Sequence, residues 1–283
     1  MRHRKDTSVE GDNLHWSFGS TKTMIEKVFP EGFSAEQSTL PDETFLPEGN
    51  FRNSYDLVYT GNQDFTVDNK VYYGYLILDV SRKDGAVEIL VESVRQLNQN
   101  FNTERQQTTT LLKCRDEILY PLSEGFEWKI VKTLHNIKDD KAAPFQHFEE
   151  SGRYTGKEIE KMDASGQWYT YKEVDPLLPL LTDWSVLAGC HTLAADADHD
   201  FAYLQQLDRY SYRHNIKYME NFMARFGVYE VSMKGYIQRG YGITPSYYWT
   251  DEQGRLLIAN YSLYALVYNP APKLKTIIEN MNL

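Results

Sequence analysis

Cysteine is nearly missing from this sequence: Cys114 and Cys190 are the only two in 283 residues, and neither belongs to a Cys-x-x-Cys pair. That excludes a disulfide framework and the common thiolate zinc and redox motifs. Long apolar runs are missing as well. Nothing approaches the roughly 18–20 consecutive apolar residues of a membrane helix, so no membrane span is expected. Positive charge is in short supply, with 30 Lys and Arg against 40 Asp and Glu, a formal net charge of −10. Phosphate backbones are held by clustered Lys and Arg, which this chain lacks beyond its first five residues, so no nucleic-acid partner is expected. There is no Gly-x-Ser-x-Gly elbow and no His-Glu-x-x-His helix, which leaves serine-hydrolase and zinc-protease readings unsupported. No cofactor is implied. The start, Met1 to Lys5, is basic but no apolar stretch follows it, so it does not read as a signal peptide. The expected setting is cytoplasmic, or periplasmic or secreted if a leader has been removed.

What is present is a folding composition: 41 % hydrophobic and 14 % aromatic residues, 21 of them tyrosine. The period along most of the chain is two, the mark of strands. Val71, Tyr73, Tyr75 and Ile77 alternate with Tyr72, Gly74, Leu76 and Leu78, which predicts a strand covered on both faces. Lys83-Asp84-Gly85 predicts a hairpin turn, since Asp-Gly accepts the positive φ such a turn demands. Return strands follow through Val87–Val94, Gln106–Leu112 and Phe126–Ile130. The polar stretch His135–Phe148 reads as a loop, and further hairpins are expected around Ser165-Gly166 and Asp251–Gly254.

Two interruptions are helical by pattern. Thr182-Asp183 reads as an N-cap for a helix carrying Trp184, Leu187, Ala188 and His191. Phe201, Leu204 and Leu207 repeat at a spacing that predicts a second helix, capped by Asp198 or Asp200. A third helix is expected at the C-terminus through Leu274, Ile277, Ile278 and Met281, and a short one over Thr21–Phe29. The organisation expected is therefore an irregular N-terminal arm over 1–54 and one β-rich domain over 55–283, with a helical insertion at about 175–208. The fold class is mainly β (α+β), a large curved antiparallel sheet forming a barrel or half-barrel.

Twelve of the 21 tyrosines lie between Tyr203 and Tyr268. Sheet propensity accounts for such an excess, because tyrosine suits a half-buried pleated surface. The functional alternative is a concave face on which rings stack and hydroxyls bond a ligand, with Tyr229, Tyr236, Tyr241, Tyr248 and Trp249 as its binding residues. Tyr229 and Tyr236 are seven apart and face opposite sides of a strand unless Gly235 makes a bulge. Gln238-Arg239-Gly240-Tyr241-Gly242 is the most site-like loop, where Arg239 could hold an anionic group. It lacks the glycine fingerprint and the Lys-Ser/Thr of a nucleotide loop. For acid–base chemistry, alternation places Tyr212 with His214 on one face, and His147 with Glu149 on another. Asp196, Asp198 and Asp200 resemble the start of a calcium loop, but Phe201 and Leu207 stand where that loop needs Gly and Glu, so no metal is expected.

The late stretch Gly240-Tyr241-Gly242-Ile243-Thr244-Pro245, then Tyr248-Trp249-Thr250-Asp251 and Gly254-Arg255-Leu256-Leu257, resembles a segment of uncharacterised bacterial half-barrel proteins related to lipoprotein carriers. The resemblance spans only about residues 240–257. It implies a curved antiparallel sheet that holds an apolar or amphipathic ligand against helices. The function expected is binding of an amphipathic small molecule or glycan on the tyrosine-rich concave face. The alternative is a carbohydrate-active lyase or hydrolase on the same scaffold, using Tyr/His or carboxylate acid–base chemistry. The sequence leaves the oligomeric state open.

Overall fold

The computed structural model describes residues 45–59, 72–96, 104–115, 126–138, 141–226, 229–241, 243–261, 264–272 and 275. The helices expected over Thr21–Phe29 and Leu274–Met281 lie outside these residues, apart from Lys275.

One antiparallel meander opens the fold: β1 (Phe51–Tyr59), β2 (Tyr72–Lys83), β3 (Ala86–Gln96), β4 (Glu104–Arg115), β5 (Phe126–Lys138), β6 (Lys141–Tyr154), β7 (Glu158–Met162) and β8 (Trp168–Glu173). A buried strand β9 (Leu180–Thr182) leads into helix α1 (Asp183–Gly189) and a 3₁₀ turn at Cys190–Thr192. The chain then returns through β10 (Asp198–Gln205), β11 (Arg209–Phe226), β12 (Tyr229–Gly240), β13 (Ser246–Thr250), β14 (Leu256–Tyr261) and β15 (Tyr264–Tyr268). All fifteen strands form one sheet in the order β8-β7-β6-β5-β4-β3-β2-β1-β15-β14-β13-β12-β11-β10-β9. Among the described residues every ladder is antiparallel except β9–β10, which is parallel.

The sheet is strongly curved. Ten strands separate β7 from β11 in the sheet order, which at about 4.8 Å per strand would hold them some 50 Å apart if flat. Yet Lys161 of β7 reaches Asp208, in the β10–β11 turn, at 2.6 Å. The two ends therefore meet through side chains, and the sheet stays open, with no backbone ladder across the seam among the described residues. Inside the curl lies the main core, built from alternate residues such as Leu76, Leu78, Ile89, Leu112, Trp128 and Tyr248. Helix α1 fills the interior: six of its seven residues are buried, and it touches both β3 and β9.

Several expectations are met. Strand β2 is covered on both faces, with Leu76, Leu78 and Val80 in the main core and Tyr75 and Ile77 in a second cluster with Val94. Asp84 and Gly85 take φ of 54° and 74° in the β2–β3 hairpin. Thr182 caps α1 in a reciprocal box with Ser185. Gly254 turns at φ 85° between β13 and β14, where a Cβ would meet His191.

Two expectations are corrected. The second helix of the insertion is strand β10: Phe201-Ala202-Tyr203-Leu204 is a continuous buried run. A short apolar run between two covered faces reads equally as strand or helix, and pairing with β9 and β11 decides it. The polar loop expected at His135–Phe148 belongs mostly to the long β5–β6 hairpin, whose far part extends beyond the core and so needs no apolar face.

Candidate functional site

Three of the late tyrosines face inward, but onto a filled interior. Tyr203, Tyr236 and Tyr248 are 0–2 % exposed. Tyr203 donates its hydroxyl to Asp183 Oδ1 at 2.7 Å, while the other carboxyl oxygen accepts from the Gln206 amide. Tyr248 donates to Gln238 Oε1 at 2.6 Å, and Tyr236 to the Leu193 carbonyl at 2.8 Å. Burial pushes the Tyr203 and Tyr248 hydroxyls well above the usual range, and raises the Asp183 carboxyl against the bonds that hold it. These rings stabilise a polar core network around the first turn of α1.

His214 closes that network. It is fully buried between Tyr203 and Phe201, at ring separations of 4.8 and 5.7 Å. The Gln238 carbonyl is occupied by Tyr248, so the Gln238 amide nitrogen faces His214 Nδ1 at 3.4 Å. Nδ1 then accepts, and Nε2 carries the proton donated to Ser211 Oγ at 2.7 Å. That tautomer is the reverse of what a base activating Ser211 requires. Desolvation lowers the His214 pKa to about 4.

Tyr212 does not share a face with His214. Ala202 opposes two residues of β11, Tyr212 and Arg213, and this bulge breaks the alternation. Arg213 sits at φ 59°, and Tyr212 is 52 % exposed. His147 and Glu149 do share a face, exposed on the convex side, 3.4 Å apart. His147 also bonds Thr133, and Glu149 bonds Lys129 at 2.9 Å, which holds its carboxyl below the usual range.

Gln238-Arg239-Gly240 is the end of β12 and not a free loop. Gly240 pairs with His214, and a Cβ there would clash with the imidazole ring, 2.3 Å from its Nδ1. Arg239 is exposed beside Asn215, and Tyr241 stands 78 % exposed in the turn. Tyr229 begins β12, paired through its backbone with Phe226. A bulge does lie next to Gly235, but the extra residue is Met219 of β11. Trp249 points to the convex side into a separate cluster with Met233, Ile258 and Val267, and stacks on Tyr247 at 5.7 Å. The paired carboxylates Asp198 and Asp200 are bonded by Asn215, and Asp198 also by Lys217. Among the described residues no cluster of three His, Cys, Asp or Glu could hold a metal.

The exposed part of the concave face lies elsewhere, on β6–β8. Glu150 and Phe148 are in register with Ile130 and Lys132 on the inner side of β5. Gly152 lets the Trp128 indole lie flat against β6, and Lys161 pairs with Gly152 on one side and Tyr169 on the other. Phe148, Tyr169 and Tyr171 are 45, 48 and 39 % exposed. In their midst Lys161 is buried, 3.0 Å from Glu150, 2.6 Å from Asp208 and 4.3 Å from the centre of the Tyr171 ring. Burial would lower its pKa, but the bonds to Asp208 and Glu150 outweigh this and hold the ammonium above the usual lysine range. The sequence pattern does not mark this patch: Trp168-Tyr169-Thr170-Tyr171 reads only as one arm of the hairpin expected around Ser165-Gly166.

Fold and site together define a class: an open antiparallel sheet curled around a short helix, with an aromatic and charged patch on its concave side. No family model and no curated protein matches the sequence. Among solved structures the chain is similar to a β-barrel-like protein of domain of unknown function DUF1849 from Brucella abortus. The TM-score is 0.47 at 7 % identity, over 78 % of this chain and 95 % of that one. The likeness is a distant one of fold.

Proposed function

We infer that the protein binds an amphipathic small molecule or a glycan on its concave face, at the β6–β8 patch and not among the late tyrosines. One observation carries this reading: three partly exposed rings, Phe148, Tyr169 and Tyr171, lie on the strands β6 and β8 that flank a fixed Glu150–Lys161–Asp208 group, and the Tyr171 ring meets the Lys161 ammonium. Ring faces stack on the apolar side of a sugar or lipid-like ligand, and carboxylate oxygens accept its hydroxyls. Both cysteines are free buried thiols, which supports a reducing, cytoplasmic setting.

Binding is tested by chemical-shift titration with soluble neutral and uronic-acid oligosaccharides and with a lysophospholipid below its micellar concentration. Tyr169→Ala and Tyr171→Ala should each weaken the responding ligand about two- to tenfold, the range of one aromatic contact. Unchanged affinity in both variants rejects the site. The catalytic alternative rests on Glu150 and Asp208, which approach one ammonium from two sides. It predicts chain cleavage of a responding oligosaccharide that Glu150→Gln abolishes.

A further inference from the structure

Three cationic side chains among the described residues are buried: Arg105, Lys161 and Arg255. Lys161 lies between two carboxylates, and Arg255 stacks over Phe45 and Tyr268. Arg105 is different. It is 5 % exposed, and its Nε and Nη1 have no hydrogen-bond partner. Guanidinium cannot shed its charge by deprotonation in a protein, and a buried cation without a counter-charge is one of the costliest arrangements a fold can hold.

The neighbour of Arg105 across the β4–β5 ladder is His135. It is 7 % exposed, and both its ring nitrogens are also unpartnered. Directly opposed residues of an antiparallel pair hold their Cβ atoms about 5 Å apart. Arg105 is seven residues from Leu112, and His135 five from Ile130, both inward-facing core residues. An odd separation puts Arg105 and His135 on the convex side, away from the β6–β8 patch.

Among the described residues of β3–β6, none on that face supplies a counter-charge close by. Their own rung reads Gln96, Arg105, His135, Pro144 across β3–β6. The next rung on that face reads Val94, Gln107, Thr133, His147, again without a carboxylate. Glu92 and Glu149 stand two rungs away, about 13 Å along the strands. Glu149 is already bonded to Lys129.

We propose that Arg105 and His135 form a binding site for an oxyanion, the phosphate or carboxylate group of a small ligand, on the convex face of β4–β5. The guanidinium fork presents Nε and a terminal nitrogen to two oxygens of such a group, and a ring nitrogen of His135 donates to another. Ligand charge would compensate Arg105, and Gln107 and Thr133 in the adjacent rung offer further polar groups.

The experiment is a thermal-unfolding series in inorganic phosphate, sulfate and acetate at constant ionic strength, with chloride as the reference, on the full chain. Wild type should gain Tm saturably in at least one oxyanion, with the His135 ring resonances shifting over the same concentrations. A response to phosphate and sulfate marks a phosphoryl-type ligand, and a response to acetate alone marks a carboxylate. Arg105→Met should lose the saturable gain while being at least as stable as wild type in chloride, since it removes an uncompensated buried charge. If that variant does not fold, Arg105→Lys keeps the charge without the fork and should weaken the anion at least tenfold. The proposal is overturned if no oxyanion shifts Tm saturably or moves the His135 resonances. It is equally overturned if Arg105→Met or Arg105→Lys responds as wild type does.

Discussion

His214 shows how one residue's environment decides its chemistry. In sequence it is a histidine two places from a tyrosine on an alternating strand, which is why it was expected to work as half of an acid–base pair. In the fold it is packed under Tyr203 with its Nδ1 occupied by Gln238, and its pKa falls to about 4. The unfolded chain takes up a proton near pH 6.5 while the folded ring stays neutral, so the stability this ring contributes is complete above pH 6.5 and is lost as pH falls towards 4. The loss should reach up to about 3 kcal/mol, near 1.4 kcal/mol per pH unit. Urea melts at pH 7, 6, 5 and 4 should show it, and His214→Gln should flatten the slope by that amount. Gly240 was legible as a special glycine, but for the wrong reason: it makes room for the His214 ring and does not loosen a ligand loop.

Among the elements, α1 was the most legible because its signals are local. Thr182 accepts from the Ser185 amide, and the Ser185 hydroxyl in turn accepts from the Thr182 amide. Both side chains are buried, so a lost partner is not replaced by water. Thr182→Ala should cost about 1–2 kcal/mol in equilibrium unfolding, the upper part of the range for N-caps, whereas Thr182→Ser should stay close to wild type. Strand β2 and the Asp84-Gly85 hairpin were legible for the same reason, since alternation and a positive-φ turn are properties of neighbouring residues. Strand β10 was not. Phe201, Leu204 and Leu207 fit a helical spacing, but Ala202 and Tyr203 between them are buried too. The bulge at Tyr212–Arg213, which separates the expected catalytic pair, has no marker in composition, because neither residue is glycine.

For the whole molecule, the decisive contact is the seam between the two ends of the sheet. Lys161 and Asp208 are 47 residues apart in the chain and join β7 to the β10–β11 turn. Lys172 over the Tyr210 ring at 5.7 Å adds a second crossing. Lys161→Ala should destabilise the protein by roughly 1–3 kcal/mol, less than a fully enclosed pair because Asp208 is largely exposed. Hydrogen exchange should then rise together in β7, β8 and the 205–209 turn, with β2–β4 unchanged. Uniform loss of protection across the sheet would show instead that the seam does not act as a separate closing unit.

The sequence by itself determined that this is a curved, mostly antiparallel β protein with a capped helix in its middle. Side-chain alternation, turn residues and caps follow from backbone geometry over a few neighbours, and they can be read wherever they occur. Tertiary structure decided which faces remain open. Tyr203, Tyr236 and Tyr248 turn inward and are spent on the core, while Tyr169 and Tyr171, with the same chemistry, stay partly exposed on β8 at the edge of the sheet. Whether a ring is core or surface depends on what packs over it: Tyr203 meets Asp183 from 20 residues away and Tyr236 meets Leu193 from 43, separations that no local period encodes.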